Sequence, residues 1–336
     1  MIDANRRQGG SESAVVITDL HCHVFPVEAA RRARTSVAVE PADDGYRLTT
    51  GSRTMVLDRG LFDLDLQLDD MLRQGVVRRA LSVPPFTLQY GLPRDEGIRW
   101  ARALNEGIAE IVGRHPNQLA GLATAPLQDV PAAVDELEYA TGQLGLVGVE
   151  IATNIHGVEL DDPALDPFWA RSETLGMPIL IHPNDVAGVN RMGAYYLNNL
   201  VGNPIETALA GARLLFGGVL ERYPGLRVIL AHGGGALPHL IGRLAHGYAV
   251  RPEARERARA PIEHLRRLYF DTVVFDAGVL RHVVETAGAA QVVLGTDYPF
   301  DMGETDPVGF VRGSGLDEQD VDTILGNGER LLRRGR

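Results

Sequence analysis

Two histidines one residue apart, His21 and His23, follow the apolar run Ala14-Val15-Val16-Ile17 and the tripeptide Thr18-Asp19-Leu20. On an extended strand alternate side chains share a face and the chain rises ~3.3 Å per residue, so both imidazoles project the same way, roughly 6–7 Å apart. Bonds of ~2.0–2.1 Å let two such nitrogens converge on one cation. Cys22, between them, faces the other way and reads as packing. Three more groups of this kind stand at the ends of apolar runs: His182, His232 and Asp297. Three nitrogens and one oxygen, from His21, His23, His182 and Asp297, make a donor set suited to zinc, with manganese or iron as alternatives. An ion held there acidifies a bound water, and Asp297 can accept its proton as well as touch the metal. His232, left outside the ligand set, is placed as a general acid–base or to steady an oxyanion.

These groups need elements to hold them. Eight short β-branched or apolar runs appear, at Val15–Asp19, Arg79–Val83, Leu119–Ala125, Val147–Ile151, Pro178–His182, Leu226–His232, Leu268–Asp271 and Gln291–Asp297. Amphipathic stretches separate them, with helix signals such as Pro131 and Pro163 in first turns and Gly75, Gly176 and Gly288 at ends. Eight strands alternating with helices predict a parallel (β/α)8 TIM barrel, in which catalytic groups gather where strands end. An open doubly wound sheet is disfavoured, because no Gly-x-Gly-x-x-Gly follows the first strand. Residues 14–336 read as one domain, after a polar lead over 1–13 that reads as disordered. The connection 27–60 lacks a clear core pattern, and its position after the metal-bearing strand predicts a lid-like insertion. A second long connection, 185–203, carries Tyr195. Phe86, Tyr195 and Phe300 are the candidate pocket walls.

Composition narrows the chemistry. The chain has 336 residues, 45% hydrophobic and 23% charged, enough apolar material for a large soluble core. All 33 basic residues are arginine. That excludes Schiff-base catalysis, lysine-anchored pyridoxal phosphate and a phosphate-loop lysine. The carboxylated lysine that bridges two metals in many binuclear hydrolases is excluded too, which leaves a mononuclear site. The formal charge of −11 argues against nucleic acid as a partner, and no apolar run reaches the ~18 residues of a membrane span. A single cysteine fits a reducing cytoplasm.

The chain resembles the amidohydrolase-related (amidohydrolase 2) family, in its 2-amino-3-carboxymuconate-6-semialdehyde decarboxylase-like branch. The segments that carry the likeness are Asp19-Leu20-His21-Cys22-His23-Val24-Phe25-Pro26, Gly121 to Asp129, Ile181-His182-Pro183, His232-Gly233-Gly234-Gly235, Gly242-Arg243 and Leu294 to Phe300. The resemblance implies metal ligands at His21, His23, His182 and Asp297 and a catalytic histidine at His232. It implies that Arg243 binds a substrate carboxylate across a subunit interface, hence a homodimer. An arginine fork suits that task. Three positions depart from the branch: Asn184 stands where a tryptophan is usual, Ala245 replaces an aspartate, and neither Arg53 nor Arg59 aligns with a second carboxylate-binding arginine. Asn184 thereby becomes a candidate substrate contact.

Decarboxylation leaves a carbanion that needs an electron sink, and here a metal is the remaining candidate. The expected activity is non-oxidative decarboxylation of a small unsaturated or aromatic carboxylic acid. Hydrolysis or hydration with the same groups is the alternative. An inactive barrel acting as a binding scaffold is a third reading, disfavoured by the complete ligand set.

Overall fold

The computed structural model describes residues 15–43, 45–259 and 261–333, so the expected disordered lead at 1–13 lies outside the described residues. Eight parallel strands run in sequence order around a barrel: Thr18–His23, Arg78–Ser82, Leu119–Ala123, Gly148–Ala152, Pro178–His182, Arg227–Leu230, Tyr269–Asp271 and Val292–Val293. Apolar side chains on both faces explain why these strands are so uniformly buried. The helices between them form the outer layer. Among the described residues, five begin at an aspartate whose carboxylate accepts a backbone N–H of the first turn: Asp63, Asp129, Asp276, Asp306 and Asp317. Among the described residues no helix is long and apolar enough to cross a membrane.

The seam between the first and last strands matters most for the site. The eighth strand is two residues long, and the chain beyond it completes the ring through loop amides. Leu20 N donates to Leu294 O at 2.9 Å, Asp297 N to His21 O at 2.8 Å, and His23 N to Tyr298 O at 2.8 Å. Asp19, fully buried, anchors this seam. Its carboxylate accepts from Thr296 Oγ1 at 2.7 Å and from His21 N at 3.1 Å, and lies 3.3 Å from Arg79 Nε. Arg79 is itself fully buried, donates to Gln67 O and Gln74 Oε1, and lies over the Tyr298 ring. Removing one partner of such a pair typically costs about 3–5 kcal/mol, because the other charge is left buried and alone.

The insertion after the first strand is structured. It holds the helix Val27–Arg32 and a three-stranded antiparallel sheet, Ala38–Ala42, Gly45–Thr50 and Arg53–Leu57. One residue per strand, Val39, Leu48 and Leu57, is buried against the barrel's core.

Candidate metal centre and active site

The ligand candidates are placed by the ends of three strands, the first, fifth and eighth. The first strand runs through both histidines, so His21 and His23 lie within it and point to the barrel interior, both fully buried. Cys22 faces outward, where Sγ contacts Ala80 O at 3.5 Å. His182 ends the fifth strand, His232 follows the sixth, and Asp297 sits four residues beyond the eighth. His232 and Asp297 both have left-handed backbones, each with φ of 56°. At His232 the left-handed run continues through Gly233, Gly234 and Gly235. A Cβ on Gly235 would lie 2.1 Å from Pro204 O, and one on Gly234 would lie 2.5 Å from Phe270, which explains the triple glycine.

The imidazole protons are fixed by what faces Nδ1. His21 Nδ1 donates to Asp271 Oδ2 at 2.6 Å, His23 Nδ1 to Val83 O at 3.1 Å and His182 Nδ1 to Pro183 O at 3.0 Å. A neutral imidazole with its proton on Nδ1 turns a lone pair outward at Nε2. All three Nε2 atoms converge on Asp297 Oδ1, at 3.2 Å from His21, 3.1 Å from His23 and 3.8 Å from His182. The Nε2 atoms of His21 and His182 are buried without a hydrogen-bond partner. Lone pairs and a carboxylate packed this closely call for a cation among them, and the donor set fits a divalent metal. His232 Nε2 meets the other oxygen, Oδ2, at 3.3 Å. One atom from each of His21, His182, His232 and Asp297 lies within 4.8 Å of the others, so His232 borders the same centre.

Electrostatics follow from burial and these contacts. Burial raises the Asp297 carboxyl, but the surrounding histidines outweigh it and hold it well below the carboxylate range. Burial lowers His21, yet Asp297 and Asp271 lift it well above an ordinary imidazole. His182, which lacks such a carboxylate behind it, is pushed down by burial to about 3.

Asp271 and Glu150 are contributors that sequence reasoning passed over. Asp271 ends the seventh strand and accepts from His21 Nδ1, His232 N, Gly233 N and Val273 N. It therefore orients one ligand candidate and the turn that carries His232 together. The signal was an acid at a strand end. Glu150 lies in the middle of the fourth strand, and an acid inside an apolar run was its signal.

Two cavities meet at Asp297. The larger, of about 490 Å³, is lined by Phe86, Asn184, Phe300, Tyr196 and Arg53 among others. The smaller, of about 300 Å³, is lined by His232, Leu200, Val274 and Phe275 among others. Phe86, Asn184 and Phe300 therefore stand where a substrate contact would. Tyr195 does not: it is 86% exposed and lines neither cavity, and the neighbouring Tyr196 takes that place. The cause is local, since both tyrosines are left-handed and the chain turns at them. Arg243 lies exposed on the helix Leu237–Val250 and lines neither cavity of its own chain. Arg53, which sequence alignment left unassigned, begins the last strand of the inserted sheet and lines the larger cavity.

Comparison with known proteins identifies the family. The amidohydrolase family model matches residues 18–334. The 2-amino-3-carboxymuconate-6-semialdehyde decarboxylase of Dictyostelium discoideum is 38% identical over 75% of this chain and 70% of its own length. The 6-methylsalicylic acid decarboxylase of Penicillium expansum is 33% identical over 84% of each. The crystal structure of 5-carboxyvanillate decarboxylase from Sphingomonas paucimobilis superposes with a TM-score of 0.81 and 25% identity, covering 95% of this chain and 99% of that one. This chain belongs to the amidohydrolase family, in the branch that holds the 2-amino-3-carboxymuconate-6-semialdehyde decarboxylases.

Proposed function

We propose that this protein is a mononuclear metal-dependent decarboxylase acting, without redox chemistry, on a small aromatic or unsaturated carboxylic acid. The observation that carries the reading is the convergence of three histidine Nε2 atoms on one oxygen of Asp297, with His232 on the other. His21, His23, His182 and Asp297 would hold the cation, with zinc favoured by the N₃O donors and manganese or iron as alternatives. When bound, the cation polarises a substrate oxygen and supplies the electron sink that loss of CO₂ requires. The bond to the carboxylate carbon breaks towards the ring or alkene carbon, which then takes a proton from His232 or Asp297. Phe86 and Phe300, with ring centroids 6.3 Å apart, form an aromatic wall for a flat substrate.

Carboxylate recognition falls to arginine. Arg53 reaches the cavity from the inserted sheet, which supports reading 27–60 as a lid within a single domain over 14–336. Arg243 is assigned to the site of a second copy in a homodimer. Exposed Ile205 and Leu209, one turn apart on the helix Asn203–Phe216, with exposed Val201 just before it, support that pairing. The buried, unpaired Cys22 supports a reducing cytoplasmic setting.

The test incubates the metal-loaded protein with hydroxybenzoates and unsaturated diacids and follows CO₂ release. Release that stops on chelation and returns on metal addition is expected; acid formation without CO₂ would favour the hydrolase reading instead. Arg53→Ala and Arg243→Ala should each raise KM by about 10–100-fold with a smaller fall in kcat, as expected for lost charge-assisted carboxylate binding. An unchanged KM would remove that arginine from the site.

A further inference from the structure

Glu150 has no part in the reaction outlined above, yet it is buried beside a ligand candidate. It stands on the fourth strand, is fully buried, and neither carboxylate oxygen has a hydrogen-bond partner among the described residues. The nearby Ser82 hydroxyl donates instead to Cys22 O at 3.1 Å. The group facing the acid is His23: Oε2 lies 3.6 Å from Nδ1, on the ring edge opposite the Nε2 that meets Asp297. An unpaired buried carboxyl destabilises a fold, and nothing in the packing of the fourth strand requires one.

The neighbouring ligand offers a comparison. His21 is backed at 2.6 Å by Asp271, and a carboxylate behind a ligating imidazole fixes its orientation and strengthens it as a donor. His23 Nδ1 has only neutral groups at hydrogen-bond distance, Val83 O at 3.1 Å and Ser82 Oγ at 3.3 Å, with the Glu150 carboxylate just beyond. Two adjacent ligands are thus each backed by an acid, from the seventh and fourth strands.

We propose that Glu150 is a positioning residue of the metal centre, whose carboxylate behind His23 strengthens that ligand and raises the affinity of the site for a divalent cation. The inference rests on the reading of His23 as a ligand.

The experiment compares wild type, Glu150→Gln and Glu150→Asp after removal of metal. Affinity for Zn²⁺ and Mn²⁺ is measured by competition with a chromophoric chelator, and thermal midpoints are measured with and without ion. Glu150→Gln should bind the cation about 10–100-fold more weakly, the usual effect of losing an outer partner. Its metal-free form should melt no lower than metal-free wild type, because the amide keeps the shape and removes the desolvated acid. A purely structural Glu150 gives the reverse, a lower metal-free midpoint with unchanged affinity, and that result would overturn the proposal. If Glu150→Gln does not fold, Glu150→Asp decides. Affinity within about threefold of wild type supports the role, while a loss near the full 10–100-fold with the charge retained overturns it. A wild type that takes up no ion fails the metal-centre reading itself; a wild type that binds while Glu150→Gln binds equally well fails only this inference.

Discussion

Asp297→Asn is expected to lose both metal and turnover. The substitution keeps the side chain's shape but removes the carboxylate on which His21, His23 and His182 converge. An amide oxygen is a weaker ligand, and the NH₂ group cannot accept from His232. Affinity should fall by more than the about 100-fold typical of an outer partner, and kcat/KM by at least about 10³-fold. Elemental analysis after dialysis and CO₂ release at saturating metal measure the two losses separately. Added metal should restore only part of the rate, since the proton-transfer role is lost as well. An asparagine variant that keeps full activity would take Asp297 out of the site.

His232 should separate the two functions. Its backbone is left-handed, so asparagine is the replacement of choice because it tolerates that conformation. His232→Asn cannot shuttle a proton, and kcat should drop by about 10²–10⁴-fold, the range of general acid–base catalysis. Metal content should stay stoichiometric, because the ligand set lies on the Oδ1 side of Asp297 while His232 meets Oδ2. The compact grouping of His232 with His21, His182 and Asp297 makes this a sharp test. Loss of metal on the scale of Asp297→Asn would move His232 into the ligand set.

The candidate site was legible in the sequence as a cluster because strand-end chemistry survives without coordinates. His182 and the pair His21 and His23 announced themselves by following or interrupting apolar runs. The element bounds were less faithful. The first strand was expected to stop at Asp19 but runs Thr18–His23, because imidazoles facing a barrel interior are satisfied there and do not end the ladder. The eighth was expected over Gln291–Asp297 but pairs only at Val292–Val293, because the chain leaves the ladder and turns to present Asp297. The sheet within 27–60 was missed because each of its strands buries a single apolar residue, too little for an alternating pattern to emerge. Arg53 was missed for a related reason: only the folding of that sheet brings it to the cavity. Tyr195 shows the converse, since adjacent residues on a turning chain need not share a face.

The seam at Asp19 and Thr296 gives the centre a second role. The approach of His23 Nε2 to Asp297 Oδ1 already brings together positions 274 residues apart, spanning most of the polypeptide. A cation clasped by both would act as a reversible staple on that very long loop, disfavouring the unravelled chain much as a covalent cross-link does. With such a cation bound, catalytic readiness and resistance to unfolding would be fastened at one point, and its removal should cost some of both.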